Sequence, residues 1–474
     1  MSQAERVLGM IAEQGIQMVD VKFVDVPGLL HHLTIPASVI DAEQLTEGFP
    51  FDGSSIRGFR GIAESDMVLL PDLDTAVYDP FVEGPTLSLF VDVKEPGLKE
   101  YSRDPRGVAR RAERYLRETG IADVSYWGPE LEFFMFDSVR FQTGPDASFY
   151  YIESGEAHWN LGRGDLPNTG YKVKYQQGYF RALPIDDQTN IRTAMTQQLQ
   201  AMGFVVERHH HEVASAGQNE INFRFSTLVD AADKAALYKY VIKNVARAYG
   251  KTVTFMPKPL YRNSGSGMHT NQSLAKDGVN LFYDPNGYAN LSQLALWYIG
   301  GLLHHAPALL AITNPTTNSF KRLVPGYEAP VNLVFSKANR SAAIRIPSNF
   351  STPKTTRIEF RTPDPMANPY LAFAAQLMAG LDGIRRRIDP TEAGFGPVDV
   401  DIHHLPPAEL ARMKTAPASL RQAVEALRND HGFLLEGGVF TEDLIETFIA
   451  LKEDEISALE TRPQPVEFEM YFDN

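Results

Sequence analysis

The chain has 474 residues, 43% of them hydrophobic, and a formal net charge of −14 at pH 7. That length supports more than one buried core. The acidic balance excludes nucleic acid or an anionic membrane as the main partner, because both demand basic surfaces. Cysteine is absent, which removes disulfides, thiolate metal sites and a cysteine nucleophile. No stretch has the apolar length of a transmembrane helix, and Met1–Arg6 lacks a signal-peptide pattern. A soluble, cytoplasmic protein is expected.

In chain order, an amphipathic helix over Gln3–Gln14 precedes strands at Met18–Val26 and Leu29–Pro36. A loop then carries Phe51-Asp52-Gly53-Ser54-Ser55, and an alternating strand spans Thr86–Val93. The polar run Lys94–Pro105 reads as a linker, and Asp104-Pro105 has the N-cap and N1 chemistry of a helix start. Further helices are predicted at Arg106–Thr119, Asp187–Met202, Ala231–Tyr249, Leu291–Ala311, Pro369–Ile388 and Glu442–Leu459, mixed irregularly with strands. The class that follows is α+β, with a small domain over 1–104 and a large one over 105–474.

Trp127–Phe136 reads as a strand that carries Glu130 and Glu132 in apolar company. Residues two apart on a strand share a face. Two unpaired buried anions are costly, so a cation between them is expected, and oxygen ligands favour a hard divalent metal. Solvated glutamates on an exposed strand are the alternative. A second pair, Glu212 and Glu220, lies in Val205–Phe223, which reads as two strands around an Ala/Ser/Gly turn. His209, His210 and His211 invite zinc, but consecutive strand residues face alternate sides and the familiar zinc spacing is missing. A structural or supporting role suits any single one of them better.

Asn263-Ser264-Gly265-Ser266-Gly267-Met268-His269 follows the strand Thr252–Met256. Its glycines permit close backbone approach to a ligand, yet it is neither a Walker loop nor a dinucleotide fingerprint. An ordinary turn is the competing explanation. Arg357, Glu359 and Arg361 alternate with Ile358 and Phe360, so they share a strand face, either as an intrastrand ion pair or as part of a site. Lys321–Pro330, with a central Gly326 between prolines, suits a loop or lid. Arg340, Arg345, Lys354 and Arg357 cluster nearby and fit a polyanion such as a nucleoside triphosphate, or a solvated basic patch. No nucleophile elbow or Ser-His-Asp order stands out.

Together these segments carry a near full-length resemblance to bacterial type I glutamine synthetases. The matching stretches are Phe51–Ser55 with Glu64–Met67, Glu130–Phe133, His209–Asn222, Gly265–His269, Lys321–Val331, Asn339–Pro347, Arg357–Arg361 with Pro369-Tyr370-Leu371, and Glu436–Phe440. The resemblance implies a β-grasp-like N-terminal domain and a catalytic domain with a curved antiparallel sheet. It implies ATP-dependent ligation of ammonium to L-glutamate through γ-glutamyl phosphate, with two or more Mg2+ or Mn2+ ions per site. Glu132, Glu212 and Glu220 match the ligands of one metal, and Glu130, His269 and Glu359 those of another.

By the same resemblance, Glu207, Phe223, Arg224, Phe225, Asn271, Ser273, Arg340, Arg345 and Lys354 match nucleotide-binding positions. Ser264, Gly265, Arg322, Glu328, Arg340 and Arg361 match glutamate-binding or phosphoryl-stabilising ones. Asp52 matches an aspartate that takes a proton from ammonium in the neighbouring subunit's site, and Glu328 belongs to a lid that shares this work. Glu328→Ala is accordingly expected to spare ATP binding and to lose amide formation. A homo-dodecamer of two hexameric rings is implied, and the apolar tail Val466–Phe472 is expected to dock on a neighbour.

Two positions depart from the pattern. Ser264 stands where the family usually has asparagine, and the adenylylated subgroup's tyrosine is His403 here, so no hydroxyl is present to receive AMP. A glutamate ligase for another small amine, or a non-catalytic regulatory paralogue, are the alternatives. Retention of Asp52, Glu328 and all six metal positions weighs against both.

Overall fold

The structure, a computed structural model, describes residues 2–160, 168–326, 329–337, 339–347, 352–400, 405–406, 410 and 412–473. Ser2 and Glu5 form a reciprocal capping box that starts α1 (Gln3–Glu13), satisfying amide donors that a helix start leaves open. The first sheet contains β1 (Met18–Val24), β2 (Leu30–Pro36), β3 (Phe49–Asp52), β4 (Asp66–Pro71), β5 (Val77–Tyr78), β6 (Thr86–Glu95) and β7 (Lys99–Glu100). Its main order is β2-β1-β6-β4-β3, with β1 and β6 parallel and the other pairs antiparallel. The short helix α2 (Ala42–Glu47) leads into β3.

The predicted linker begins with a short hairpin. β6 continues to Glu95 and turns back into β7, pairing Lys94 with Glu100 and Glu95 with Lys99. Such opposite-charge cross-strand pairs favour continued pairing, and Gly97 supplies the positive φ of the turn. Asp104 then caps α3 (Pro105–Glu118) by accepting from the amides of Arg106 and Gly107. Buried Arg106 ties this helix to both parts of the chain. It donates to Asp72 and Asp92 of the first sheet's region and to Asp233, each at 2.6–2.9 Å.

The second sheet is built on β8 (Val124–Phe136), whose Trp127 stacks on Phe373 at 5.2 Å. The hairpin β9 (Ser138–Thr143) and β10 (Ser148–Glu153) forms a separate two-stranded sheet, and the second sheet continues with β11 (Val206–His211), β12 (Gln218–Phe223), β13 (Ser226–Thr227), β14 (Thr252–Thr254), β15 (Met268–Lys276), β16 (Val279–Asn280), β17 (Asn332–Lys337), β18 (Ala342–Ile346) and β19 (Ile358–Phe360). Its main order is β11-β12-β8-β15-β19-β18-β17. The sheet is mixed rather than purely antiparallel, because β17 and β18 run parallel.

Helices α4 (Thr189–Ala201), α5 (Leu228–Ala248), α6 (Gln293–His304), α7 (Ala306–Thr313), α8 (Ser319–Arg322) and α9 (Pro369–Arg386) belong to this larger part. The helix expected over Leu291–Ala311 is two helices, α6 and α7, bent by 74° at His305. Pro307 explains the break, since it has no N–H and its ring crowds the carbonyl four residues earlier. Both halves are largely buried, and α6 packs on α9. Among the described residues, no single helix is long and apolar enough to cross a membrane. The chain continues through helices Leu420–Asn429, Glu442–Glu460 and Pro465–Tyr471.

Candidate active site

Strand register gathers the ionisable residues. On β8, Glu130 and Glu132 share a face; Glu132 is buried and Glu130 half-buried. Glu132 lies directly opposite Glu220 of β12, and Glu220 opposite His210 of β11. On the other side of β8, Glu130 faces His269 of β15, while Asn271 of β15 faces Glu359 of β19, which faces Arg345 of β18. Because side chains alternate with period two, this pairing sets one polar row across six strands.

Two groups along the row could each hold a metal. One ligand atom each from Glu130, His269 and Glu359 lies within 4.8 Å of the others, and the same is true of His210, Glu212 and Glu220. The first matches a grouping expected from sequence. In the second, His210 stands in the tight group, whereas Glu132 lies outside it and accepts from Gly267 N at 2.9 Å and Gln218 Nε2 at 3.2 Å. His210 is edge-on to Tyr179 and Phe180. These two rings on the 171–188 loop were not singled out in the sequence, where they have no periodic or motif context.

The electrostatics fit cation binding. Burial and the neighbouring Glu212 charge push the Glu132 carboxyl up to about 8. Burial raises Glu212, and burial with Glu130, Glu212 and Glu132 drives Glu220 well up. Burial and then Arg361 drive His269 well down, keeping its ring neutral and able to ligate. Carboxylates that resist ionisation together are stabilised by a divalent ion, which takes the place of their protons. Hard oxygen donors with imidazole suit a divalent cation.

Glycine makes the crowding possible. A Cβ on Gly267 would sit 2.7 Å from both Arg322 Nη2 and His269 Nε2, and one on Gly265 would sit 2.3 Å from Pro257 O. Arg322 is buried beside them, donating to Thr362 O at 2.7 Å and Arg361 O at 3.1 Å. Ser264 is half-buried, and its amide donates to Asn263 Oδ1. Asn263 in turn donates to the Ser215 hydroxyl. Arg361 donates to Glu359 and, through Nε, to Arg340 O at 3.0 Å. The Arg340 guanidinium bonds the Tyr179 hydroxyl.

A cleft of about 480 Å³ opens beside the first group. Of the expected nucleotide residues, Glu207, Phe223, Phe225, Asn271, Ser273 and Lys354 line it, together with Glu130. Arg224 does not; it is exposed and lies 3.9 Å from Glu207. Arg340 and Arg345 also lie outside its lining. Arg357, one of the cations expected to meet a polyanion, lines the cleft and donates through Nε to Asn271 Oδ1 at 2.9 Å, and Tyr126 lines it without having been singled out from sequence. Asp52, in the first sheet, is exposed and bonded to Ser54 N and Oγ, which lower its pKa. Glu328 and His403 lie outside the described residues.

One group of ligands beside a cleft that carries Arg208, Lys354 and Arg357, with a second group farther along the row, fits an enzyme that handles a polyanionic substrate with divalent ions. A family model described as "Glutamine synthetase, beta-Grasp domain" matches residues 15–96, and one described as "Glutamine synthetase, catalytic domain" matches 102–471. A glutamine synthetase of Frankia alni is 55% identical, over 100% of this chain and 99% of the relative; one of Mycolicibacterium smegmatis is 53% identical, over 99% of each. Among solved structures, a Plasmodium falciparum glutamine synthetase superposes with a TM-score of 0.89 at 28% identity, over 99% of both chains. A GmaS/ADP complex superposes at 0.82 and 27% identity, over 98% of this chain and 99% of the other. The chain belongs to the glutamine synthetase family. Members use ATP and divalent metal ions.

Proposed function

We propose that the chain joins ammonia to L-glutamate to give L-glutamine, ADP and phosphate through γ-glutamyl phosphate. The observation that carries this is the polar row with two metal-ligand groups beside a cleft of ligand size, in a chain related over its full length to glutamine synthetases. Glu130, His269 and Glu359 are assigned to one divalent ion, and Glu132, Glu212 and Glu220 to a second, with His210 beside them. Such ions, when bound, neutralise phosphoryl charge.

Glu207, Phe223, Arg224, Phe225, Asn271, Ser273, Arg345 and Lys354 are assigned to the nucleotide. The cleft lined by six of them beside Glu130 supports this reading. Arg322, Ser264 and Gly265 bind and orient glutamate so that its γ-carboxylate meets the terminal phosphate in line. Arg340 and Arg361 stabilise charge on the transferring group. Glu328, with Asp52 of a neighbouring subunit, is assigned the removal of a proton from ammonium to make a nucleophile.

Asp52 requires an assembly, which we take as two stacked hexameric rings, with residues 1–104 forming the domain that reaches the neighbour. Support comes from exposed rings on the β9–β10 hairpin and the C-terminal helix, among them Phe141, Tyr150, Phe468 and Phe472. A groove of about 1070 Å³ runs between those two elements. Apolar surface of that extent marks contact faces. We also place the enzyme in the cytoplasm, without adenylylation control, since His403 offers no hydroxyl; an AMP adduct on that loop would contradict this.

Phosphate release and glutamine formation with ATP, Mg2+, glutamate and ammonium test the assignment. Turnover that requires all four, with ammonium preferred over small amines, is expected. Equal or faster turnover with an amine would make the chain an amine ligase, and none with any acceptor would make it non-catalytic.

A further inference from the structure

Behind the glutamate side of the site lies a buried polar brace that none of the assigned roles uses. Asp364 is fully buried. Its Oδ2 accepts from Asn314 Nδ2 at 3.0 Å and its Oδ1 from Met366 N at 3.0 Å, while its own amide donates to Thr313 O at 3.1 Å. Asn314, at the C-terminal end of α7, also donates to Thr362 O at 2.6 Å. That same carbonyl accepts from Arg322 Nη1 at 2.7 Å.

Arg322 closes α8, and Ser319, the first residue of that helix, carries a hydroxyl that stabilises the Asp364 carboxylate. The Arg322 charge also lowers the Asp364 pKa against the burial that raises it. One carboxylate thus feels both ends of α8: at its start the Ser319 hydroxyl, itself bonded to Thr316 Oγ1 at 2.8 Å, and at its finish the Arg322 charge and the shared Thr362 carbonyl. A buried carboxylate without a directly bonded cation is costly. Its partners all belong to the elements that aim one guanidinium: α7, α8 and the chain leaving β19. Such a fully connected polar cluster fixes geometry more firmly than apolar packing, because each member has a single satisfied arrangement.

We infer that Asp364, with Asn314 and Ser319, is a positioning set that holds the Arg322 guanidinium at the angle glutamate binding requires. This rests on the glutamate role proposed for Arg322. None of the three lines the nucleotide cleft, so KM for ATP serves as the control.

The test is steady-state kinetics of Asp364→Asn, Ser319→Ala and Arg322→Lys in the full-length assembled enzyme, with KM for glutamate and for ATP measured separately. Asp364→Asn is expected to raise KM for glutamate about tenfold, the factor carried by one hydrogen bond to a charged group. KM for ATP should stay within about twofold. Ser319→Ala, a milder change that preserves the fold if Asp364→Asn does not, should shift the same constant in the same direction by less. Equal rises in both KM values, or no rise in KM for glutamate in either variant, overturn the positioning role. An unchanged KM for glutamate in Arg322→Lys instead removes the glutamate role of Arg322, and the positioning inference with it.

Discussion

Arg345 Nη1 donates to Glu359 Oε2 at 2.6 Å while Arg361 Nη1 bonds the other oxygen of the same carboxylate. Glu359 also stands 3.6 Å from His269 Nδ1. The carboxylate therefore sits between a prospective cation site and the two guanidiniums proposed for the phosphate side of the reaction. Under the proposed function, Glu359 would help hold a divalent ion, and Arg345 and Arg361 would then be available to phosphate oxygens.

Glu359→Gln keeps the shape and removes the charge. The half-saturating Mg2+ or Mn2+ concentration should rise on the order of 10–100-fold, with the thermal midpoint little changed. Metal titrations of activity, alongside Mn2+ binding followed by electron paramagnetic resonance, check this. An unchanged metal requirement would remove Glu359 from the ligand set.

Gly267→Ala places a methyl group 2.7 Å from Arg322 Nη2 and His269 Nε2. Overpacking of this kind costs about 1–3 kcal/mol, and here the displaced atoms are a guanidinium and an imidazole of the site. Activity should fall steeply, with KM for glutamate and the metal requirement rising together. Urea unfolding should show at most the modest packing cost.

Arg106 is 3% exposed and surrounded by Asp72, Asp92 and Asp233. Removing one member of a buried ionic group typically destabilises by about 3–5 kcal/mol, because the remaining charges lose their partner. Arg106→Ala should lower the urea midpoint accordingly and loosen the first sheet from α3 and α5. Hydrogen exchange of β6 amides would register the loosening.

His305 sits at the α6–α7 break between Asp382, at 2.9 Å, and Asp430, at 2.8 Å. Burial opposes its charge, but the two carboxylates prevail and hold its pKa above the ordinary value of 6.5. A raised histidine pKa contributes stability that is fully present below the unfolded value and is lost as pH rises through the folded one. Asp382, held low by hydrogen bonds from His305, Arg385 and Arg386 against its burial, contributes in the opposite sense, losing its share as pH falls through its depressed pKa. The stability difference between the parent chain and His305→Gln should therefore be larger near pH 6 than near about pH 9. Urea midpoints at the two pH values measure it.

Much of the site was legible because its signals are local. Glu130 and Glu132 share a face through strand period alone, and the Asp104-Pro105 cap is a short-range pattern. What the sequence hid depends on register between distant strands. Nothing local sets His210 opposite Glu220, or brings Asn314 to Asp364 across 50 residues. The single helix expected at Leu291–Ala311 failed because apolar periodicity runs through His305, while Pro307 breaks the hydrogen-bond ladder. The linker expected at Lys94–Pro105 spans the break between the two family-model matches, but its charges, which look like solvated loop residues, are cross-strand partners of the β6–β7 turn.

The most direct measurement is a crystal structure with Mn2+ and a nucleotide, using anomalous scattering to place the ions. Two peaks are expected in each site, one bound by Glu130, His269 and Glu359 and the other by Glu212 and Glu220 with Glu132. A single shared ion between Glu130 and Glu132, or ions bound away from the polar row, would contradict the division of the row between two metals.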